Sequence, residues 1–194
     1  FMVMDELLAA FRQEHEGIER IFCETLPPGL ELRQILAGGA RFRGQILRAD
    51  PDVYTSVTVG AMERLARAGL ASEHRVYLHN RTVLMVPEGN PAGIAGVGDL
   101  ARNDVRISQP GELEDISGHI ANMYRAAGGE GLVRRILTEK RNDGTTVLTQ
   151  VHHRETPRRL IDDEADVGPV WATEVVYAQR EGLRIEAVVP GEGI

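Results

Sequence analysis

Residues Thr145–Ala172, TTVLTQVHHRETPRRLIDDEADVGPVWA, hold a strand, a helix and a second strand in one short run. Thr145–Val151 is rich in β-branched residues and reads as a strand. Thr156–Asp162 reads as a short helix that Pro157 can begin, because a first helical turn does not use the N–H that proline lacks. The chain then turns apolar in Asp166–Ala172, DVGPVWA, and Val167–Trp171 reads as a short buried strand. Between the first strand and the helix lies Val151–Pro157, VHHRETP, the densest polar cluster of the sequence.

The same alternation extends outward. Asp5–Glu16 reads as an amphipathic helix with apolar Leu7, Leu8 and Phe11 and with Asp5 as N-cap. Gly17 ends it, and Ile18–Thr25 reads as a strand before the rigid turn Leu26-Pro27-Pro28-Gly29. Leu30–Ala37 is a helix stopped by Gly38-Gly39. Val53–Val59 has strand composition, Ala61–Ala68 is a helix, and the run Val76–Val86 ends in a turn-rich stretch at Pro87–Pro91. Val105–Ser108 is a strand, and Glu114–Ala127 and Leu132–Lys140 are helices separated by Gly128-Gly129. A helix at Thr173–Arg180 and a strand at Leu183–Val189 follow the opening segment. This rhythm predicts an α/β protein with mainly parallel sheets flanked by helices. Such sheets place ligands beyond the carboxyl ends of their strands. Those ends fall at Thr25–Gly29, Thr55–Thr58, Ser108–Gly111, His152–Thr156 and Ala172-Thr173.

The chain has 194 residues, 42% of them apolar, which suffices for a substantial core. Its 22 Lys and Arg against 29 Asp and Glu give a net charge of -7, which argues against a nucleic-acid-binding surface. Cys23 is the sole cysteine, so no internal disulfide forms, and its apolar neighbours suggest a buried filler. No apolar stretch reaches the length of a membrane span. The abrupt start, FMVMDELLAAF, is read as following a removed leader and a missing first strand.

Candidate chemistry gathers at the strand ends. His152, His153 and Glu155 offer ligands for a transition metal, but adjacent histidines in an extended segment point to opposite sides and the spacing is not that of a helical zinc motif. Arg154 and Thr156, at the start of the short helix, suit an anion, because a guanidinium presents a rigid fork of donors. Arg154 paired with a carboxylate is the competing reading. Ser56 and Thr58 either cap the following helix or hold a ligand, and Ser108 carries the same ambiguity. Glu112, Glu114 and Asp115 sit where negative charge favours the start of a helix. Trp171 either walls a pocket or packs the core. No phosphate loop, dinucleotide fingerprint or nucleophile elbow is present, so neither an enzyme nor a cofactor is expected.

Taken in order, these segments resemble the type II periplasmic solute-binding proteins, and among them the molybdate-binding family of ABC importers. Leu32–Gly39 followed by Asp52-Val53-Tyr54 and Ser56 is similar to that family's helix and DVF-like strand. Met62–Leu70, MERLARAGL, resembles the next helix, and Asn80–Pro87, NRTVLMVP, the run into the second lobe. Gly93–Leu100, the strand through Ser108, and Ala165–Ala172 resemble the stretches that approach the ligand.

The resemblance implies a two-lobed protein that catches a small anion between its lobes and delivers it to a membrane permease of the ABC type. It assigns residues 1–79 and 183–194 to one lobe and 80–182 to the other, and it places the protein in the periplasm or otherwise outside the cytoplasm. Ser56, Thr58, Ser108, His153, Arg154, Thr156 and Trp171, at the strand ends that the resemblance brings toward the ligand, are the candidate ligand-binding residues. The chain departs from the family pattern in three places. Pro27 and Pro28 remove donors from one turn, VHHRET replaces a neutral loop, and Trp171 stands where a tyrosine is common. These changes favour a different anion or a small organic acid over molybdate. The alternatives are a ligand-sensing regulatory domain and a metal-binding protein built on His152, His153 and Glu155.

Overall fold

The structure, a computed structural model, describes residues 2–24, 28–42, 45–48, 50–112, 114, 116–150 and 154–191. Its chain divides into two units, Phe1–Leu78 and His79–Ile194.

In the first unit, helix α1 (Met2–Glu14) starts ahead of Asp5, which therefore lies in the first turn instead of capping it. Helix α2 (Pro28–Leu36) stops where the glycine pair predicts. Gly38 takes the left-handed conformation (φ 70°) and the Gly39 N–H donates to the Gln34 carbonyl at 2.8 Å, satisfying a terminal acceptor. Strands β1 (Ala40–Phe42) and β2 (Gln45–Leu47) pair antiparallel, a hairpin that the sequence reading did not anticipate. Helix α3 (Val59–Arg67) buries Ala61 and Leu65 against Leu32 of α2, with Tyr54 and Met62 beside them.

Two expected strands of this unit are not seen. Residues 18–24 and 53–58 form no strand, and Phe22 and Val53 are 89% and 78% exposed. Strand preference expresses packing against neighbours on a sheet, and among the described residues nothing supplies those neighbours. Cys23, expected to be buried, is exposed.

The second unit is built around strand β3 (Thr82–Pro87). It continues through a 3₁₀ turn (Val97–Ala101), β4 (Ile107–Gln109) and helix α4 (Ile116–Arg134). A π-helical segment (Arg135–Glu139) and α5 (Lys140–Asn142) lead into β5 (Thr146–Leu148). Helix α6 (Glu155–Ile161), β6 (Gly168–Trp171), α7 (Ala172–Arg180) and β7 (Ile185–Val188) complete it.

The sheets are mixed, which corrects the expectation of mainly parallel ones. β4 and β5 are parallel, and Val167 bridges in parallel to Ile107 on the other side of β4. β3, however, pairs antiparallel with both β6 (Met85↔Gly168) and β7 (Met85↔Ala187). A strand–helix rhythm orders elements along the chain but does not say which strands become neighbours, and here β3 lies between two strands of opposite direction. The pairing with β3 places β7 in the second unit.

β3 is buried on both faces, and its alternating side chains feed two cores. Leu84 and Val86 join Leu100, Ile107, Ile120 and Tyr124 on one side. Val83 and Met85 join Leu160, Val170, Val175 and Ile185 on the other. Full burial of such a side chain contributes about 1.5–3 kcal/mol. Helix α4 is interrupted at the expected glycines, where Gly129 adopts φ 65°, and then resumes to Arg134.

Strand β6 enters the sheet through a tight approach. A β-carbon on Gly168 would lie 2.2 Å from Thr156 Cγ2 and 2.9 Å from the Ser108 carbonyl oxygen. Both obstacles are buried, so Gly168→Ala is expected to destabilise the protein by roughly 1–3 kcal/mol, read as a lower urea midpoint with unchanged slope.

A charged cluster fixes the loop just before β6. The Asp166 carboxylate accepts from the Arg106 backbone N–H at 2.6 Å and from its guanidinium at 2.7 and 3.1 Å. Burial alone would raise the Asp166 carboxyl, but the hydrogen bonds from Arg106 outweigh it and hold the group below the usual carboxylate range. With a folded pKa below the unfolded value of about 3.9, the contribution is complete above that pH and is lost as pH falls through the folded value. Urea midpoints taken between about pH 6 and pH 2 should therefore fall more steeply in the wild type than in Asp166→Asn.

Candidate functional site

The parallel pair β4–β5 directs two loops to one end of the second unit. Beyond β4, the Thr149 N–H donates to the Gln109 carbonyl at 2.8 Å, so the ladder continues one step past β5. The Gly111 N–H then points to both Thr149 Oγ1 and Glu114 Oε1, each at 3.0 Å, and Thr149 Oγ1 donates to Glu114 Oε1. Only glycine fits at position 111, because a β-carbon there would stand 2.8 Å from the Thr149 carbonyl oxygen. Ser117, in the first turn of α4, donates to the Gly111 carbonyl at 2.5 Å. The loops after β4 and β5 are thus tied to each other and to the start of α4.

Beneath them lies a buried polar layer. Ser108 and Thr156 are fully buried and their hydroxyls are 2.9 Å apart. Gln109 accepts from the Tyr124 hydroxyl at 2.7 Å, and burial pushes that phenol above its ordinary range. A buried hydroxyl without a partner is costly, so these pairs give the layer one arrangement.

Helix α6 carries the charge of the site. Arg154 is its exposed N-cap residue, with αR backbone angles. Glu155 uses both oxygens: Oε1 accepts the Gln150 N–H at 3.0 Å, and Oε2 accepts from Arg159 at 2.9 Å. Arg159 also donates to the Val147 and Leu148 carbonyls, both at 3.2 Å, and to Ser108 Oγ at 3.4 Å.

Trp171 lies half-buried at the far end of β6, where its ring meets exposed His119 at a centroid distance of 5.4 Å. The carboxylate of Glu174 accepts the Trp171 N–H at 3.3 Å, and Asn80 Nδ2 donates to Thr173 Oγ1 at 2.9 Å nearby.

The sequence-derived residues are therefore distributed unevenly. Ser108, Arg154 and Thr156 converge on the entry to α6, and Trp171 stands at the opposite end of β6. Ser56 and Thr58 belong to the first unit, where Ser56 Oγ accepts the Thr58 N–H at 3.3 Å; Thr58 occupies the N-cap position of α3 without a side-chain cap bond. His152 and His153 lie outside the described residues. Among the described residues no group of three or more His, Cys, Asp or Glu side chains is arranged to hold a metal. Arg159, Thr149, Gln109 and His119 were missed. Arg159 had a readable signal, its i, i+4 spacing from Glu155 on a predicted helix.

Comparison with known proteins decides the family. The profile described as bacterial extracellular solute-binding protein matches residues 1–194. The chain belongs to this family. Membership places it among extracytoplasmic solute-binding proteins. Relatives named molybdate-binding protein ModA, from Mycobacterium bovis and Mycobacterium tuberculosis, are 24% identical over 135 residues, covering 63% of this chain and 52% of theirs. The solute-binding chain thus spans about half the length of these curated relatives.

Solved structures show the fold. The substrate-binding domain of a candidate molybdenum ABC transporter from Clostridium difficile superposes with a TM-score of 0.62 at 17% identity, covering 95% of this chain and 72% of that one. Iron-bound HitA from Pseudomonas aeruginosa gives 0.63 at 14% identity, covering 95% and 64%. The sulfate-binding protein SubI from Mycobacterium tuberculosis gives 0.57 at 19% identity, covering 69% and 50%.

Proposed function

We propose that this solute-binding protein is the capture component of an ABC importer for a small oxyanion or related anion, and that it hands its ligand to a membrane permease. The observation that carries this reading is the convergence of the loops after β4 and β5 with the entry to α6, where exposed Arg154 occupies the N-cap position two residues before Thr156 of the buried hydroxyl pair. Ligands of α/β sheets gather beyond the carboxyl ends of parallel strands, and a guanidinium at such a place recognises an anion by charge and planar geometry.

In this reading Arg154 supplies the charge, with His153 as its neighbour in sequence. Ser108 and Thr156 give the site a fixed floor, while Trp171, at the other end of β6, packs beside His119. Ser56 and Thr58 remain candidate hydrogen-bonding groups of the first unit taken by itself. The two-lobed arrangement implied by the family belongs to the same proposal, with residues 1–79 as most of one lobe and 80–182 as the other. The names of relatives that bind molybdate and sulfate support the oxyanion class.

Isothermal titration of the full chain with molybdate, sulfate and phosphate tests the reading. At least one anion is expected to bind, and Arg154→Ala is expected to weaken it about tenfold or more, the worth of one charge-assisted hydrogen bond. An affinity unchanged in Arg154→Ala would remove Arg154 from the site.

A further inference from the structure

The terminal nitrogens of Arg159 carry four N–H groups and meet four acceptors: the carbonyls of Val147 and Leu148, the hydroxyl of Ser108, and Glu155 Oε2. A guanidinium occupied in this way has little left for a ligand. What it does is join three elements, the end of β5, the buried floor of β4 and the first turn of α6. Glu155 completes the junction, because its other oxygen takes the Gln150 N–H at 3.0 Å, beyond the end of β5. The ion pair is shielded, with side-chain exposures of 15% for Arg159 and 30% for Glu155. Removing such charges from water offsets much of their attraction, so a shielded pair is a poor stabiliser and serves better to define geometry. The residue whose backbone this junction fixes most directly is Arg154, next to Glu155 in the chain.

We propose that Arg159 and Glu155 are positioning residues for anion capture, which hold the entry to α6 so that Arg154 leaves it in one direction. The inference rests on the anion-binding reading above and adds the residues that act through Arg154. It also gives Glu155 a role other than metal ligation.

The test is a double-substitution cycle on the full chain, with sodium molybdate and sodium sulfate as probes and melting followed separately by circular dichroism. Arg159→Lys keeps the positive charge but cannot bridge four acceptors as a planar fork does. It is expected to weaken anion binding on the order of tenfold, the scale seen when groups that orient a ligating residue are removed. Combined with Arg154→Ala, it is expected to cause no further loss, because its effect passes through Arg154. A purely structural role would lower the melting temperature and weaken binding equally in both backgrounds. Glu155→Gln retains an acceptor for the Gln150 N–H and is expected to show a smaller loss with the same dependence on Arg154; it carries the test should Arg159→Lys not fold. Wild-type affinity in Arg159→Lys, or additive losses in the double variant, would overturn the positioning role while leaving the anion reading intact. No loss in Arg154→Ala would overturn the positioning role and remove Arg154 from the site, whereas no binding of either anion to the wild type would overturn the anion reading itself.

Discussion

The missing side chain at Gly168 is the constraint on which the second unit depends. Because nothing projects from its Cα, Thr156 of α6 can lie directly against β6 while Ser108 of β4 faces the same point. That closeness allows the Ser108–Thr156 hydroxyl pair to form out of water, and it sets how far α6 stands from the sheet. From this distance Arg159 reaches the last carbonyls of β5, and Glu155 reaches the backbone beyond them. Arg154, the exposed residue that opens α6, thus comes at the end of a chain of contacts that starts with an absent atom.

Among the described residues of this unit, buried side-chain polar groups have partners, with one exception. Lys140 is fully buried, yet its ammonium donates to the carbonyls of Val105 and Arg102, and burial followed by the nearby Arg135 charge lowers its pKa. Tyr124 has Gln109, Thr149 has Glu114 and Gly111, and Asp166 has Arg106. Thr146 Oγ1 is the one buried side-chain polar atom without a partner among the described residues. Such pairings cost desolvation and return modest net stability, but they leave each strand one register and each loop one path.

Much of this was legible in the sequence because the signals were local. The glycine pairs at 38–39 and 128–129, the proline in the first turn of α6 and the apolar runs of β3 and β6 all marked elements within a few residues of where they lie. The polarity of the sheet was not legible, since strand neighbours are chosen by long-range packing and the β6–β3–β7 order has no local signature. The failed strands at Ile18 and Val53 have the same origin: β-branched and aromatic composition states a preference that only a neighbour can satisfy. At the site, the polarity of residues 154–156 was readable as chemistry, but the sequence could not distinguish a hydroxyl that meets a ligand from one that meets another hydroxyl. Thr156 proved to be paired with Ser108, and Glu155 with Arg159.

The first unit keeps Leu32, Ala61 and Leu65 as its buried apolar residues among those described, whereas the second has two extensive clusters sharing β3. Cooperativity scales with the apolar surface that must be exposed at once, so the two parts of the chain should differ as opening units. Backbone amides in α2 and α3 would exchange with solvent through small, frequent fluctuations. Those of β3, hemmed in on both faces, would exchange only when the second unit comes apart as a whole. One polypeptide would then present two protection regimes, with the boundary near Leu78.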